Sequence, residues 1–334
     1  MSVAHVPVET EFPNSSDLNM QSPAESLQRL WLLLLRQDGK FTGINVRWLG
    51  RQNRTARKPI VAPSGPIISL TTCGKRIRTV HLTLESIANG HILPSRIILW
   101  LDNADAFRNR PRSLHRLEER GLEIKLTHNY GPHTKYYPFL ESTDTFEVPL
   151  VTADDDVLYP KSWLGGLVSS FNRNCTVISC YRAHEIKIAN RTIAPYRSWG
   201  PCRSVEPSFL HFATGSYGCI YPPRFLRALK AAGDEFQHYC PRADDVWLHA
   251  NAIRAHFKIA QIRRYHLNFP FSPGTQDVGL FHSNVDLGEN DVQISNTYKP
   301  ADIAVLQSQS TQNLSLRIRE RSPRAKPTPA KSSE

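Results

Sequence analysis

Apolar residues along this chain fall into short runs separated by helical spacings. Ile67-Ile-Ser-Leu-Thr-Thr72 is a β-branched run that predicts a strand, and Cys73-Gly74 reads as the turn after it. Ile77, Val80, Leu84 and Ile87 then recur at i, i+3, i+7 and i+10, the spacing of an amphipathic helix. Arg96-Ile-Ile-Leu-Trp-Leu-Asp102 predicts the next strand, residues 111–120 a charged surface helix, and Leu122 to Thr127 a third strand. Tyr130 to Pro138 reads as a turn opening a short helix, and Val148 to Val151 as a fourth strand. Beyond it, Trp163, Leu164, Leu167, Val168 and Phe171 mark a helix face, and Thr176 to Tyr181 a strand. Residues 184–212 are irregular and aromatic, and residues 212–223 read as a Gly-rich loop running into a strand. Phe225, Leu226 and Leu229 begin a short helix, and residues 241–249 open a longer one carrying Val246, Trp247, Ala250, Ile253 and Phe257 on one face. Residues 258–305 read as short strands and loops. Strands alternating with helices at this interval predict an α/β fold with a mostly parallel central sheet and flanking helices.

The pattern also divides the chain. Residues 1–65 read as an N-terminal extension: a polar start expected to be disordered, a short apolar helix around Leu30-Trp-Leu-Leu-Leu-Leu35, and a basic, Pro-bearing linker at 50–66. Residues 66–305 form the main domain, and 306–334 a disordered basic tail. The apolar stretch is far shorter than the roughly 20 residues that span a bilayer.

Composition narrows the partners. There are 41 Lys+Arg against 30 Asp+Glu in 334 residues, a formal charge of +11, which favours anionic ligands such as nucleotides, phosphorylated glycans, acidic membrane surfaces or nucleic acid. The tail from 317 holds six Lys/Arg against Glu320 and Glu334, so part of the excess is terminal. The six cysteines show neither C-x-x-C nor zinc-type spacing, which points to a reducing compartment. The first residues lack a basic region followed by an apolar core, so no signal peptide is expected.

The candidate chemistry starts at Ala153-Asp-Asp-Asp-Val157, where three carboxylates follow a buried strand. Ligand sites of open α/β sheets lie outside the carboxyl ends of the strands, and an acidic triplet there needs cationic compensation. Asp154 and Asp156, spaced D-x-D, suit Mg²⁺ or Mn²⁺, hard ions that share substrate phosphates with one or two carboxylates. The competing explanation is a solvated acidic turn. Thr71-Thr-Cys-Gly-Lys-Arg76 places hydroxyls, a glycine and two cations before a helix, which suits an anion. Tyr130-Gly-Pro-His-Thr-Lys135 sets a rigid turn that aims Lys135 toward the same sheet edge. Asp244-Asp245 opens a helix; capping accounts for one acid there, and the other suits a general base. His282 is a candidate to complete a metal shell.

Taken in order, these motifs resemble the nucleotide-sugar glycosyltransferases of the GT-A fold, the bacterial family-2-like enzymes in particular, over about residues 66–300. The resemblance is carried by Ile68-Ser-Leu-Thr-Thr72, Arg96 to Asp102, Tyr130 to Lys135, Ala153 to Pro160, Thr214-Gly-Ser-Tyr-Gly218 and Ala243-Asp-Asp-Val-Trp247. It implies that residues 66–305 are the catalytic domain. The end of the first strand (Thr71, Thr72, Arg76) and Asp102 would cradle the nucleoside, and Lys135 would join the donor site. Asp154 and Asp156 would match the D-x-D pair, with Asp155 near the ribose. Gly215 and Gly218 would line the donor and acceptor cleft. Asp245 or Asp244 would stand where inverting members carry an acidic base, usually in a Glu-Asp pair; here the pair is Asp-Asp, which leaves open which acid acts.

The implied reaction is metal-dependent sugar transfer from a nucleoside diphosphate sugar to a glycan or lipid-linked acceptor hydroxyl, with inversion. The implied site of action is cytoplasmic, with peripheral attachment at the inner face of the membrane as a further option. Two other classes compete. A nucleotidyltransferase acting on a sugar phosphate also uses paired acids, a metal and a Gly-rich turn. A basic nucleic-acid-binding protein would explain the charge, but the basic residues are dispersed and no recognition module is evident, so no nucleic acid is expected.

Overall fold

In the computed structural model, residues 38–265, 267–275 and 288–321 are described, with side chains between 46 and 315. The apolar stretch at 30–35, His266 and His282 lie outside them. Seven strands form the central sheet: β1 (Ile67–Thr71), β2 (Arg96–Leu101), β3 (Leu122–Leu126), β4 (Leu150–Thr152), β5 (Ile178–Cys180), β6 (Cys219–Tyr221) and β7 (Ile259–Gln261). Their spatial order is β7-β5-β6-β4-β1-β2-β3. β4, β1, β2 and β3 run parallel, β7 runs parallel to β5, and only β6 is antiparallel to its neighbours β4 and β5. The expected mostly parallel α/β sheet is therefore the observed one.

Alternation along the strands supplies two cores. Ile98 and Trp100 of β2 join a layer with Phe139, Phe225, Leu226, Val246, Trp247 and Ile253. Ile97, Leu99 and Leu101 join the opposite layer with Val80, Leu84, Leu114, Trp163 and Leu167. Helices therefore cover both faces, which explains why β1, β2 and β4 read as continuous apolar runs. Removing one of these fully buried side chains, as in Leu70→Ala, is expected to cost about 2–5 kcal/mol because Leu70 has no exposed surface.

Three helices lie where the sequence pattern pointed elsewhere. Helix Asp38–Thr55 runs into the stretch read as a linker. Its Asn53 is buried and donates through Nδ2 to Glu85 Oε1 (3.0 Å), while Arg120 Nη1 lies 2.6 Å from the same oxygen. At the other end, helix Glu289–Thr297 and the start of helix Pro300–Arg321 occupy residues expected to form short strands and loops, and the rest of the second helix runs into the stretch from 306 expected to be a disordered tail. Their burial is largely polar. Arg254 pairs with buried Asp302 (2.8 Å) and donates to the Thr297 carbonyl (2.6 Å), a long-range arrangement with no apolar periodicity to announce it.

A second sheet leaves the edge of the main one after β5. Its strands Ala183–Glu185, Gly200–Pro201 and His211–Ala213 pair antiparallel, with 183–185 in the centre. It delivers the Thr214–Gly218 loop into β6.

Candidate active site

β4 ends at Thr152, and the next residues carry the three carboxylates to the carboxyl edge of the sheet beside the end of β1. Their fates differ. Asp155 turns back into the fold: Thr72 Oγ1 donates to Oδ2 (2.6 Å) and Arg76 Nη1 to Oδ1 (3.0 Å). Thr83 Oγ1 caps its carbonyl at 3.0 Å, so helix Val80–Ala88 is tied to the triplet. Asp156 stands 3.3 Å from Arg76 Nη2, and its carbonyl accepts the Ser272 N–H. Asp154 is half-buried and faces the other way, 3.6 Å from Lys135 Nζ. The Tyr159 hydroxyl accepts its backbone N–H at 2.9 Å. The bend at 155–156 thus turns Asp155 and Asp156 toward Arg76 and leaves Asp154 facing Lys135.

Lys135 joins two distant parts of the chain. Its ammonium lies 3.0 Å from Asp244 Oδ2 as well as facing Asp154. Although burial works against its charge, Asp244, then Asp154 and Asp245, hold it well above its ordinary value. The turn carrying it is locked by His133. Its Nε2–H donates to the Cys240 carbonyl (2.8 Å), the Tyr136 hydroxyl donates to Nδ1 (2.7 Å), and Phe236 stacks on the ring at 4.0 Å. Burial pushes His133 down to about 4, so the ring is neutral at physiological pH. This packing fixes residues 130–135 against the segment that opens helix Asp244–Arg254.

The two helix-opening acids are not equivalent. Asp244 is buried and spent on Lys135. Asp245 is only half-buried and has no hydrogen-bond or ion-pair partner among the described residues. Burial, then the Asp244 charge, push its carboxyl well above the usual carboxylate range. Gly215 lies directly against it: a Cβ there would come within 2.6 Å of Asp245 Oδ1 and 3.4 Å of Lys135 Nζ. Its φ of +61° is in the left-handed region that favours glycine. One residue type at one position therefore gives the loop both its turn and its close approach.

The structure brings together Thr72, Arg76, Lys135, Asp154, Asp155, Asp156, Gly215, Asp244 and Asp245. Asp102 follows β2 at the same edge of the sheet, one strand away from β4's partner β1. The Thr71 hydroxyl is used internally, donating to the Trp100 carbonyl at 3.1 Å. Gly218 faces Trp163, whose indole a Cβ would meet at 2.8 Å, rather than the acids. Sequence reading missed His133, Tyr159 and Trp163 as positioning groups. Only the Pro- and Gly-bearing turn around His133 offered a local signal.

Among the described residues, no three His, Cys, Asp or Glu side chains are grouped to hold a metal. Asp154 and Asp156 are two carboxylates, which fits an ion that takes its remaining ligands from water and phosphate. Burial and the Asp154 charge push Asp156 up to about 6, the strain that a bound cation would relieve.

No family model matches the chain. No curated protein matches it by sequence. Solved structures do. They include GalNAc-T7 with UDP, GalNAc and Mn²⁺, at 10% identity and TM-score 0.45, covering 64% of this chain and 45% of that one. S. aureus TarS residues 1–349 match at 12% identity and TM-score 0.44, covering 75% and 72%. The mannosyltransferase PcManGT from Pyrobaculum calidifontis, in complex with GDP-Man and Mn²⁺, matches at 12% identity and TM-score 0.43, covering 82% and 83%. The chain spans less than half the length of the first of these. These TM-scores are below 0.5, and the function is carried by this chain's own residues.

Proposed function

We propose that the chain transfers a sugar from a nucleoside diphosphate sugar to an acceptor hydroxyl, with Asp245 as general base and inversion at the anomeric carbon. The observation that carries this reading is the Lys135 ammonium shared between Asp154 and Asp244, with Gly215 packed on Asp245. It brings the acids after β4 and the acids opening helix Asp244–Arg254 to one site across a glycine loop. An anionic leaving group and a proton acceptor would then flank one carbon.

The donor's diphosphate would lie at the carboxyl edge of β1 and β4. Arg76 and Lys135 hold the carboxylates there in fixed orientations, and Asp155 serves as the brace, since Thr72 and Arg76 occupy both its oxygens. A divalent cation held by Asp154 and Asp156 would supply Lewis-acid stabilisation of the departing diphosphate. Asp245 has no hydrogen-bond or ion-pair partner among the described residues, and its raised pKa makes it a stronger base than an exposed carboxylate. It takes the proton of the acceptor hydroxyl as that oxygen bonds to the anomeric carbon and the bond to the diphosphate oxygen breaks. Asp244 keeps Lys135 in place and stays out of the proton transfer.

The test is a panel of UDP-, GDP- and CMP-linked sugars with Mn²⁺ and simple saccharide acceptors, read by nucleotide release and anomeric NMR. Nucleoside diphosphate release with an inverted product is expected. Consumption of nucleoside triphosphate and sugar phosphate, with pyrophosphate released, would replace this function with nucleotidyl transfer. A retained configuration would remove Asp245 as base while leaving sugar transfer standing.

A further inference from the structure

The cleft has a second wall, built from the smaller sheet. Arg182 sits where the chain leaves β5 for strand Ala183–Glu185, and its carbonyl accepts the Thr214 N–H at 3.2 Å. Residue 182 is thereby fixed one residue away from Gly215, the backbone that touches Asp245. Arg182 is half-buried, and among the described residues its guanidinium has no carboxylate within ion-pair distance. Its Nε is fully shielded and has no hydrogen-bond partner; the Thr214 Oγ1 is in the same condition. Two orphaned polar groups on residues joined by a backbone hydrogen bond are costly, because buried polar atoms are nearly always paired. A guanidinium beside an unpaired hydroxyl is a donor set matched to an oxyanion.

The same wall carries Tyr196. Its backbone N–H donates to Asp291 Oδ1 at 2.7 Å, and its ring meets Trp199 at 4.9 Å, His184 at 5.7 Å and Phe212 at 6.0 Å. The ring is therefore a fixed, half-exposed platform. Burial pushes the Tyr196 hydroxyl upward, the Asp245 charge adds to this and the Arg182 charge opposes it; the ring's partners His184 and Phe212 are paired across the sheet, two positions along the chain from Arg182 and Thr214. Arg182 and Asp245 are nevertheless not an ion pair. Neither charge is therefore cancelled by the other. The cations nearest the donor edge, Arg76 and Lys135, are already engaged by acids, whereas Arg182 is not.

We infer that Arg182, Thr214 and the Tyr196 ring form an acceptor subsite that recognises a saccharide carrying an oxyanion, a phosphate or a carboxylate, beside Asp245. This rests on the reading of Asp245 as the base. The ring takes the face of the sugar, and Arg182 with Thr214 takes its anionic group. The acceptor is thus an anionic glycan rather than a neutral one.

The experiment uses the full chain and compares three probes, glucose 6-phosphate, glucuronate and glucose, by calorimetric titration with and without saturating nucleoside diphosphate and Mn²⁺. At least one charged sugar should bind tenfold or more tightly than glucose, and which one does so separates phosphate from carboxylate. Arg182→Gln should erase that preference, and Thr214→Val should reduce it, with both variants keeping the wild-type melting temperature and nucleotide response. Equal binding of charged and neutral sugars, or a preference that survives Arg182→Gln, would overturn the subsite. Loss of nucleoside diphosphate binding in Arg182→Gln, or displacement of the charged sugar by the nucleotide, would overturn it too by assigning Arg182 to the donor. Failure of the donor reading looks different: no nucleotide is bound at all, while the sugar comparison without nucleotide still reports on Arg182.

Discussion

At the scale of single residues, Asp244 and Asp245 are chemical twins with opposite duties. Asp244→Asn leaves Lys135 buried with only the more distant Asp154. Breaking a buried pair typically costs about 3–5 kcal/mol, so this variant should lose several degrees of melting temperature. Asp245→Asn touches no ion pair and should melt near the wild type while transfer falls by two orders of magnitude or more, on the order of the 10²–10⁴-fold a general base contributes. A differential scan beside a turnover assay separates the two; similar stability losses in both would mean that Asp245 is structural. A second residue-scale effect concerns His133 and His249. Burial pushes each down to about 4, and each donates from Nε2 to a carbonyl while accepting a tyrosine hydroxyl at Nδ1. Both are neutral in the fold, and the unfolded chain binds more protons below pH ~6.5. Their contribution is complete above that value and is lost as pH falls from about 6.5 toward 4, by roughly 1.4 kcal/mol per pH unit for each ring. Urea denaturation at pH 7, 5.5 and 4.5 should show this decline, and His249→Gln should flatten it.

Elements act here as rulers. Helix Asp244–Arg254 places its first turn against Lys135, and the Thr214–Gly218 loop runs between that turn and β6. Gly215→Ala should force Asp245 aside, because the new Cβ falls 2.6 Å from Oδ1 and the backbone stays at positive φ. Misplacing a reacting group by about 1 Å can cost about a hundredfold in rate, so turnover should drop on that order with nucleotide binding retained. Gly218→Ala should behave differently. Its Cβ would strike the Trp163 indole, whose Nε1–H donates to the Tyr217 carbonyl at 2.7 Å, so the expected loss is in stability of the loop and of helix Trp163–Arg173. A turnover loss in Gly218→Ala as large as in Gly215→Ala, at unchanged melting temperature, would contradict this division.

For the molecule as a whole, the two walls of the cleft come from different sheets, and a nucleotide at the donor edge should stabilise the fold. Stabilisation by a ligand follows RT ln(1 + [L]/Kd), about 2.7 kcal/mol at a hundredfold excess. A melting shift with UDP or GDP that grows with added Mn²⁺, and shrinks in Asp156→Ala, is expected. No shift with any nucleotide under any metal would count against the donor site. Among the described residues no helix is long and apolar enough to cross a membrane.

The sequence by itself determined the strands, since Ile67–Thr71 and Arg96–Leu101 are buried on both faces and so read as nearly continuous apolar runs. It also determined where the acids stand, because a carboxylate triplet at the end of a buried strand is visible without coordinates. Two things it could not decide. Helices Glu289–Thr297 and Pro300–Arg321 are held by pairs such as Arg254–Asp302, forty-eight residues apart and without periodicity. The division of labour among five aspartates was equally hidden. Asp155 was expected near the ribose and is braced by Thr72 and Arg76 from the first strand's end; Asp244 is consumed by Lys135, more than a hundred residues away. Identical side chains differ only in what the fold sets beside them. Burial and partner charge, which act through space, left Asp245, of these five, with a carboxylate that pairs with no group among the described residues.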